Sequence, residues 1–540
     1  MAELSGVGNF ASESSAPGSS MRGVTGKEQV FGGAANAGRE EINPVTGQPF
    51  DLPVDDEHKA TKIKIYSFAA PHMRAFHLSW FSFFISFIST FAAAPMLPII
   101  RNDLDLTKPQ LGNAGIAAVT GTIFARVVMG TVCDTYGPRF GHAVLMLGSA
   151  PAVFSMSLAT GPMGFLAGRL CIGFSLATFV ATQFWSSVMF NGKIVGIANA
   201  TTAGWGNLGG GVTQFLMPVI YSGMLSHGSP FYAWRLAYFV PGCCHILVGV
   251  LVLMFSQDLP DGQYKDLQST GQMAKASGST VLRIACSNYR MWAMTITYGF
   301  CFGVELTMNN VVSSYFFDQF GLDIKLAGLL GSLFGMMNLF ARSLGGLASD
   351  LMAKKYGMRG RLWCLWLVQT AEGGMCCLMG AVKDSLAATI CVMILFSTMV
   401  QMAEGASYGV VPFISKRALG VVSGFIGAGG NAGSAITQAI FFKSDKYETY
   451  EGIALMGLMI IAMTLLVIPI HFPMWGSMFF GPSKAGVTEE DYYSGDYTEE
   501  EIKAGANKDA LKFAAASRSQ RSQAQKDAAA AVESNAASAV

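Results

Sequence analysis

The 540-residue chain is 51% hydrophobic and only 13% charged, with a mean hydropathy of +0.40. Soluble domains carry about a quarter charged residues, so the composition excludes a soluble globular chain and a disordered one alike. The net charge of +1 singles out no partner class, and no nucleic-acid partner is expected.

Residues 1–70 are polar and Gly/Ser-rich without an apolar run. They read as a disordered cytoplasmic tail with no cleavable leader. Apolar blocks of about twenty residues follow, each enough to cross ~30 Å of hydrocarbon as helix. Twelve spans are expected, at 74–100, 111–133, 141–160, 163–190, 194–222, 234–256, 287–317, 325–352, 361–382, 385–413, 417–443 and 451–476. A polar linker at 257–286 divides them into six-helix bundles at 71–256 and 287–476, and 477–540 form a second cytoplasmic tail. Arg139, Lys193, Lys354, Lys355, Arg359, Arg361, Lys416 and Arg417 fall in loops on one side. Asp103, Asp105, Asp318, Asp323 and Asp384 fall on the other. This Lys/Arg bias places both termini inside. The C-terminal tail carries an acidic patch from Glu489 to Glu501 and a basic, serine-bearing run from Ser517 to Ser522. It reads as a solvated, disordered tail rather than a phosphorylation switch. The ten cysteines are scattered through apolar segments without paired CxxC spacing, so they read as small core residues and no metal or cofactor is expected.

Two motifs recur in the two halves. Gly204-Trp205-Gly206-Asn207-Leu208-Gly209 continues to Thr213-Gln214, and Gly430-Asn431-Ala432-Gly433 continues to Thr437-Gln438. Both read Gly-Asn-x-Gly-x-x-x-Thr-Gln. Glycines let helix backbones approach closely in a bilayer, so Gly204, Gly206, Gly209, Gly430 and Gly433 read as packing positions. Asn207 and Asn431, polar residues repeated at identical spacing, read as ligand-facing. The second motif is Phe-Ala-Arg-x-x-x-Gly-x-x-x-Asp, at Phe124-Ala125-Arg126 with Gly130 and Asp134, and at Phe340-Ala341-Arg342 with Gly346 and Asp350. Parallel six-helix repeats describe a rocking-bundle transporter with its site between the halves.

Arg126 and Arg342 each lie eight residues before an Asp at a helix end, or ~12 Å along the axis at 1.5 Å per residue. An arginine at that depth costs at least ~2.5 kcal/mol unless it pairs or faces a polar cavity. Repeat symmetry sets the two guanidiniums facing each other, with no equally placed carboxylates. Such a pair suits a planar oxyanion, held bidentately by the guanidinium forks. The competing reading makes each arginine a structural anchor bonded to neighbouring carbonyls.

Gly130-Thr131-Val132-Cys133-Asp134-Thr135-Tyr136-Gly137-Pro138-Arg139 resembles the signature of the major facilitator superfamily. The resemblance implies a charge latch of Asp134 and Arg139 that stabilises the outward-open state. The second copy keeps Gly346 and Asp350, while its next glycine, Gly357, is displaced. Arg169 followed by Gly173 resembles a second superfamily motif.

Taken together, the paired motifs resemble the nitrate/nitrite porter family. Asp51-Leu52-Pro53-Val54-Asp55, Pro71-His72-Met73-Arg74, Gln257-Asp258-Leu259-Pro260-Asp261-Gly262 and Trp475-Gly476-Ser477-Met478-Phe479-Phe480 bring the resemblance close to the plant and algal high-affinity transporters. It covers about residues 20–485 and lacks the large central-loop insertion of the fungal branch. It implies an all-α major facilitator fold and nitrate held by Arg126 and Arg342. It further implies that Tyr298 lines the site, that a fourth-span phenylalanine stacks there, at a position the sequence leaves open, and that the protein resides in the plasma membrane. Members of the group often require a small single-span accessory membrane protein.

Moving nitrate into an inside-negative cell costs about 2.3 kcal/mol per 100 mV. One proton cancels the charge and two make entry electrically favourable, so symport with about two protons is expected. Glu305, Glu372 and Glu404 are acidic residues within spans, and Glu305, near Asn309 and Asn310, is the proton-carrier candidate. The alternative is exchange, in which nitrate itself neutralises a doubly positive cavity and lets it close. A receptor signalling through its tails is the competing class, disfavoured by the intact latch, arginines and glycine motifs. No catalytic motif is present, so no enzyme is expected.

Overall fold

The structure, a computed structural model, describes residues 42–538 apart from 227, 271–277, 323 and 443–445. The expected tail at 1–41, part of the linker and Asp323 therefore lie outside the described residues. The described residues belong to one compact unit.

Twelve helical rods run in sequence. In the first half they are α1 His72–Met96, α2 Lys108–Tyr136, α3 Pro138–Leu158, α4 Pro162–Met189, α5 Val195–Leu225 and α6 Pro230–Phe255. In the second half α7 is built from Tyr289–Gly299 and Phe302–Phe320, and α8 from Ile324–Met336 and Ala341–Tyr356. Then come α9 Met358–Ala381, α10 Leu386–Phe413, α11 Leu419–Phe442 and α12 Thr449–Val467. Among the described residues, nine rods are long and apolar enough to cross a membrane. The other three are α5, diluted by its Gly-Asn motif, and α7 and α8, which are broken midway. These three carry Asn207, Tyr298, Glu305 and Arg342, so lower hydropathy coincides with the polar centre. Phe124, Leu247, Met254 and Leu458 are 68%, 59%, 68% and 59% exposed, which hydrocarbon rather than water accommodates.

Local chemistry sets the rod ends. Thr107 and Gln110 form a capping box that starts α2, the Thr107 N–H donating to Gln110 Oε1 at 2.8 Å. Gly137 ends α2 at φ +90°, and Pro138 starts α3. Gly357 ends α8 at φ +63° in the equivalent place, so the displaced glycine of the second copy does the same work.

Within the halves α1 packs along α5 and α7 along α11. Between the halves α2 packs along α11 and α5 along α8. Both cross-half seams depend on missing side chains: a Cβ on Gly130 would strike the Gly420 backbone, and one on Gly346 would strike Gly196 and Ala200.

Residues 42–70 and the C-terminal segment up to 538 pack on one face, here the tail face. Residues 42–70 depart from the expected disordered tail. Ala60 is buried, its N–H donates to the Met189 carbonyl at 3.0 Å, and the Asn191 N–H donates to the Ala60 carbonyl at 2.9 Å. The C-terminal segment departs further. It forms α13 Glu489–Ser494, α14 Glu499–Lys503, α15 Lys508–Ser517 and α16 Gln523–Ser538. Thr488 with Asp491 and Thr498 with Glu501 make capping boxes, so the acidic patch is the first turns of two helices rather than solvated coil. Tyr493 is buried and donates to the Phe413 carbonyl at 3.1 Å, while Arg521 pairs with buried Glu489 at 2.6 Å.

Candidate functional site

Arg126 on α2 and Arg342 on α8 are both fully buried, at 0% exposure. Each owes its room to a glycine of the opposite half. A Cβ on Gly204 would lie 3.0 Å from Arg342 Cβ, and one on Gly427 would lie 3.2 Å from Arg126 Cδ. Arg126 donates from Nη1 to the Gly427 carbonyl at 2.5 Å, across the halves, and from Nε to the Leu176 carbonyl at 3.4 Å. Its Nη2 has no hydrogen-bond partner among the described residues. Arg342 donates from Nη2 to the Tyr298 hydroxyl at 2.6 Å, and its Nε is likewise without a partner.

Two aromatic rings lie beside both guanidiniums. Phe179 of α4 and Phe302 of α7 stack with centroids 5.7 Å apart and planes 8° from parallel. The Arg126 guanidinium carbon lies 4.6 and 5.0 Å from the two centroids, and that of Arg342 5.8 and 5.9 Å. Tyr298 stacks on Phe302 at 5.4 Å, and Tyr408 meets Phe179 edge-on at 5.2 Å.

Carboxylates accompany one arginine, contrary to the expectation. Arg342 Nη1 forms an ion pair with Glu404 of α10, and Glu305 Oε2 lies 4.0 Å from the same nitrogen. Both acids are fully buried. The repeat could not reveal this, because neither acid has a counterpart in the first half. Glu305 is itself held by two amides, accepting from Asn207 Nδ2 at 3.0 Å and Asn338 Nδ2 at 2.7 Å.

The repeated asparagines therefore diverge. Asn207 binds Glu305, whereas Asn431 is buried with neither polar side-chain atom partnered among the described residues. Gly206 and Gly430 seat the rings of Phe83 and Phe302. Gly209 meets the Phe84 carbonyl, and Gly433 the Gly299 carbonyl.

The latch residues also rearrange. Asp134 accepts the Gly420 and Val421 N–H groups at 2.8 Å each, at the N-terminus of α11. Asp350 accepts the Gly196 and Ile197 N–H groups at 3.2 and 2.7 Å, at the N-terminus of α5, and pairs with Arg361 at 2.6 Å. Both contacts join the halves on the tail face. Arg139 does not join them. Its guanidinium donates to the Leu253 carbonyl at 2.5 Å and its backbone N–H to Asp258 at 2.9 Å, so no ion pair with Asp134 occurs among the described residues. Asp258 sits in the linker, and burial pushes its carboxyl up to about 6. Arg169 donates to the Thr90 carbonyl, inside the first half.

Sequence reasoning did not locate Phe179, Phe302, Tyr408 or Asn338, and it chose Glu305 ahead of Glu404. The first four lie outside both repeated motifs. The structure relates Phe302 to Phe83, since each opposes the glycine that precedes a repeated asparagine.

Comparison with known proteins agrees with this architecture. The Major Facilitator Superfamily profile matches residues 79–438. The chain is 52% identical over 476 residues to "High affinity nitrate transporter 2.5" of Arabidopsis thaliana, covering 88% of this chain and 95% of that one. It is 50% identical over 497 residues to "Nitrate transporter 2.1" of Chlamydomonas reinhardtii, covering 90% and 91%. Among solved structures, the proton:xylose symporter XylE superposes with a TM-score of 0.56 at 13% identity, over 73% of this chain and 94% of that one, which speaks for the fold alone. These relatives are transporters, not enzymes, and the chain belongs to the major facilitator superfamily and, within it, to the nitrate/nitrite porter family, beside the plant and algal high-affinity transporters.

Proposed function

We propose that this protein takes up nitrate across the plasma membrane by alternating access, coupled to about two protons, with the anion held between Arg126 and Arg342. The observation that carries the reading is the pair of buried guanidiniums, one from each half, each keeping an N–H donor without a partner beside the Phe179–Phe302 stack. A planar trigonal oxyanion can accept from both forks while lying against the rings. Nitrite, also a planar oxyanion, fits the same description. The relatives named as high-affinity nitrate transporters support nitrate as substrate.

Two facing arginines alone would favour exchange, since only an anion could neutralise them. Glu404 and Glu305 already supply two negative charges beside Arg342, which supports proton coupling instead. The loops rich in Lys and Arg lie on the side of the described tail segments, which supports a cytoplasmic placement of that face. A small single-span accessory protein completes the expected assembly.

The test is nitrate-evoked current in oocytes, with and without such an accessory protein. Inward current at low nitrate is expected. Nitrate uptake without inward current would sink two-proton symport, and neither uptake nor current in either condition would sink the transport reading.

A further inference from the structure

We propose that Glu404 is an internal competitor of the substrate for Arg342, and that one proton taken by Glu404 releases the arginine to bind nitrate. The inference rests on the nitrate reading above and moves proton coupling from Glu305 to Glu404.

The two acids differ in what a proton would have to displace. Both Glu305 oxygens accept amide N–H groups, from Asn338 to Oε1 and from Asn207 to Oε2. Glu404 has one oxygen on Arg342 and its carboxyl lies within hydrogen-bond reach of the Glu305 carboxyl, while Oε1 is buried with no donor among the described residues. A proton can enter at Oε1 without breaking an existing bond. The groups that face Glu404 come from four other rods: Arg342 of α8, Glu305 and Tyr298 of α7, Arg126 of α2 and Glu372 of α9. Cys301 sits at the break in α7, and Tyr408 ends the regular part of its own rod.

Charge balance then follows. With Glu305 and Glu404 ionised and Glu372, whose oxygens have no partner among the described residues, kept neutral, the cluster of Arg126, Arg342, Glu305, Glu404 and Glu372 sums to zero. Adding nitrate alone would leave a buried net charge of −1, which is costly in this environment. A proton on Glu404 Oε1 turns the ion pair into a neutral contact, and nitrate oxygens accept the N–H groups that Arg342 regains. The loaded cluster again sums to zero. On release, nitrate departs, the proton leaves to solvent, and Glu404 pairs with Arg342 once more. This cycle is electrically silent by itself, so the second proton of an electrogenic symport is carried elsewhere.

The experiment is calorimetric nitrate binding to the purified full-length protein over the acid-to-neutral range, repeated in buffers of different ionisation enthalpy to count protons. For wild type, about one proton is taken up per nitrate, and affinity falls by up to about tenfold per pH unit as pH rises. Glu404→Gln cannot ionise, so it binds nitrate with the pH slope lost. It also moves one proton fewer per labelled nitrate into vesicles than wild type. Glu404→Asp keeps the slope, and Glu305→Gln keeps it whatever happens to affinity. Nitrate binding by wild type without proton uptake overturns the role of Glu404, as does a wild-type slope in Glu404→Gln or its loss in Glu404→Asp. Failure of wild type to bind nitrate at all overturns the nitrate reading instead.

Discussion

Phe179 and Phe302 come from opposite halves of the chain and lie face to face, 5.7 Å between centroids, with both arginines within cation–π range of the pair. One ring belongs to each bundle, so rocking the bundles apart separates the rings and changes the surroundings of both arginines together. Phe179→Leu keeps most of the bulk and removes the π face. A cation–π contact of this kind is worth about 1–2 kcal/mol when desolvated. Nitrate affinity is expected to fall about tenfold with folding intact, read by direct binding beside a thermal melt.

Arg126→Lys and Arg342→Lys keep the charge and lose the planar fork. Each removes charge-assisted hydrogen bonds worth about 1.5–3 kcal/mol, so apparent nitrate affinity should weaken by one to two orders of magnitude. The two variants should differ in a second respect. Lysine at 342 also disturbs the pairs with Glu404 and Tyr298, so it alone should alter the pH dependence of binding. Concentration dependence of nitrate-evoked current at two pH values measures both effects.

Asp134 and Asp350 bridge the two halves on the tail face by accepting backbone N–H groups at the starts of α11 and α5. Asp134→Asn keeps the shape and removes the charge that suits a helix N-terminus, a loss of about 1 kcal/mol. Amide hydrogen exchange at 419–424 should quicken several-fold. Asp350→Asn should act on 195–200 and also free Arg361, giving the larger effect. Unchanged exchange in both variants would mean that the seams are held by glycine packing alone.

Docking of the C-terminal segment carries a pH signature. Arg417 donates two bonds to Glu501, at 2.8 and 2.6 Å, and holds its carboxyl down at about 2 from a usual 4.5. A depressed folded-state value means the stabilisation is complete above 4.5 and is lost as pH falls towards 2. Protease sensitivity of 488–522 should stay flat through neutral and mildly acid pH and rise only below that range. Glu501→Gln should raise it at neutral pH, by a modest amount because the pair is partly exposed.

Where pattern carries information, the chain was legible. Twelve apolar blocks, two repeated motifs and two deep arginines are one-dimensional facts, and helix period, bilayer thickness and pseudo-symmetry turn them into rods and a central pair. The acidic patch was misread for want of one step. Thr488 and Thr498 stand three residues before Asp491 and Glu501, a capping signal visible in the letters. Arg139 was different, because nothing in the local sequence says that the Leu253 carbonyl would take its guanidinium.

By itself, then, the sequence determined the membrane class, the two-fold repeat, the family and the arginine pair, since each depends on spacing along one helix or on residue identity. Only the tertiary structure decided that Glu404 pairs with Arg342, that Phe179 and Phe302 stack beside both arginines, and that Asp134 and Asp350 cap helices of the opposite half. Those contacts join residues from 62 to 287 positions apart. None is visible in local period, and even the two Asp contacts, which the repeat relates to each other, name no partner in the sequence, so all exist only once the bundles have packed.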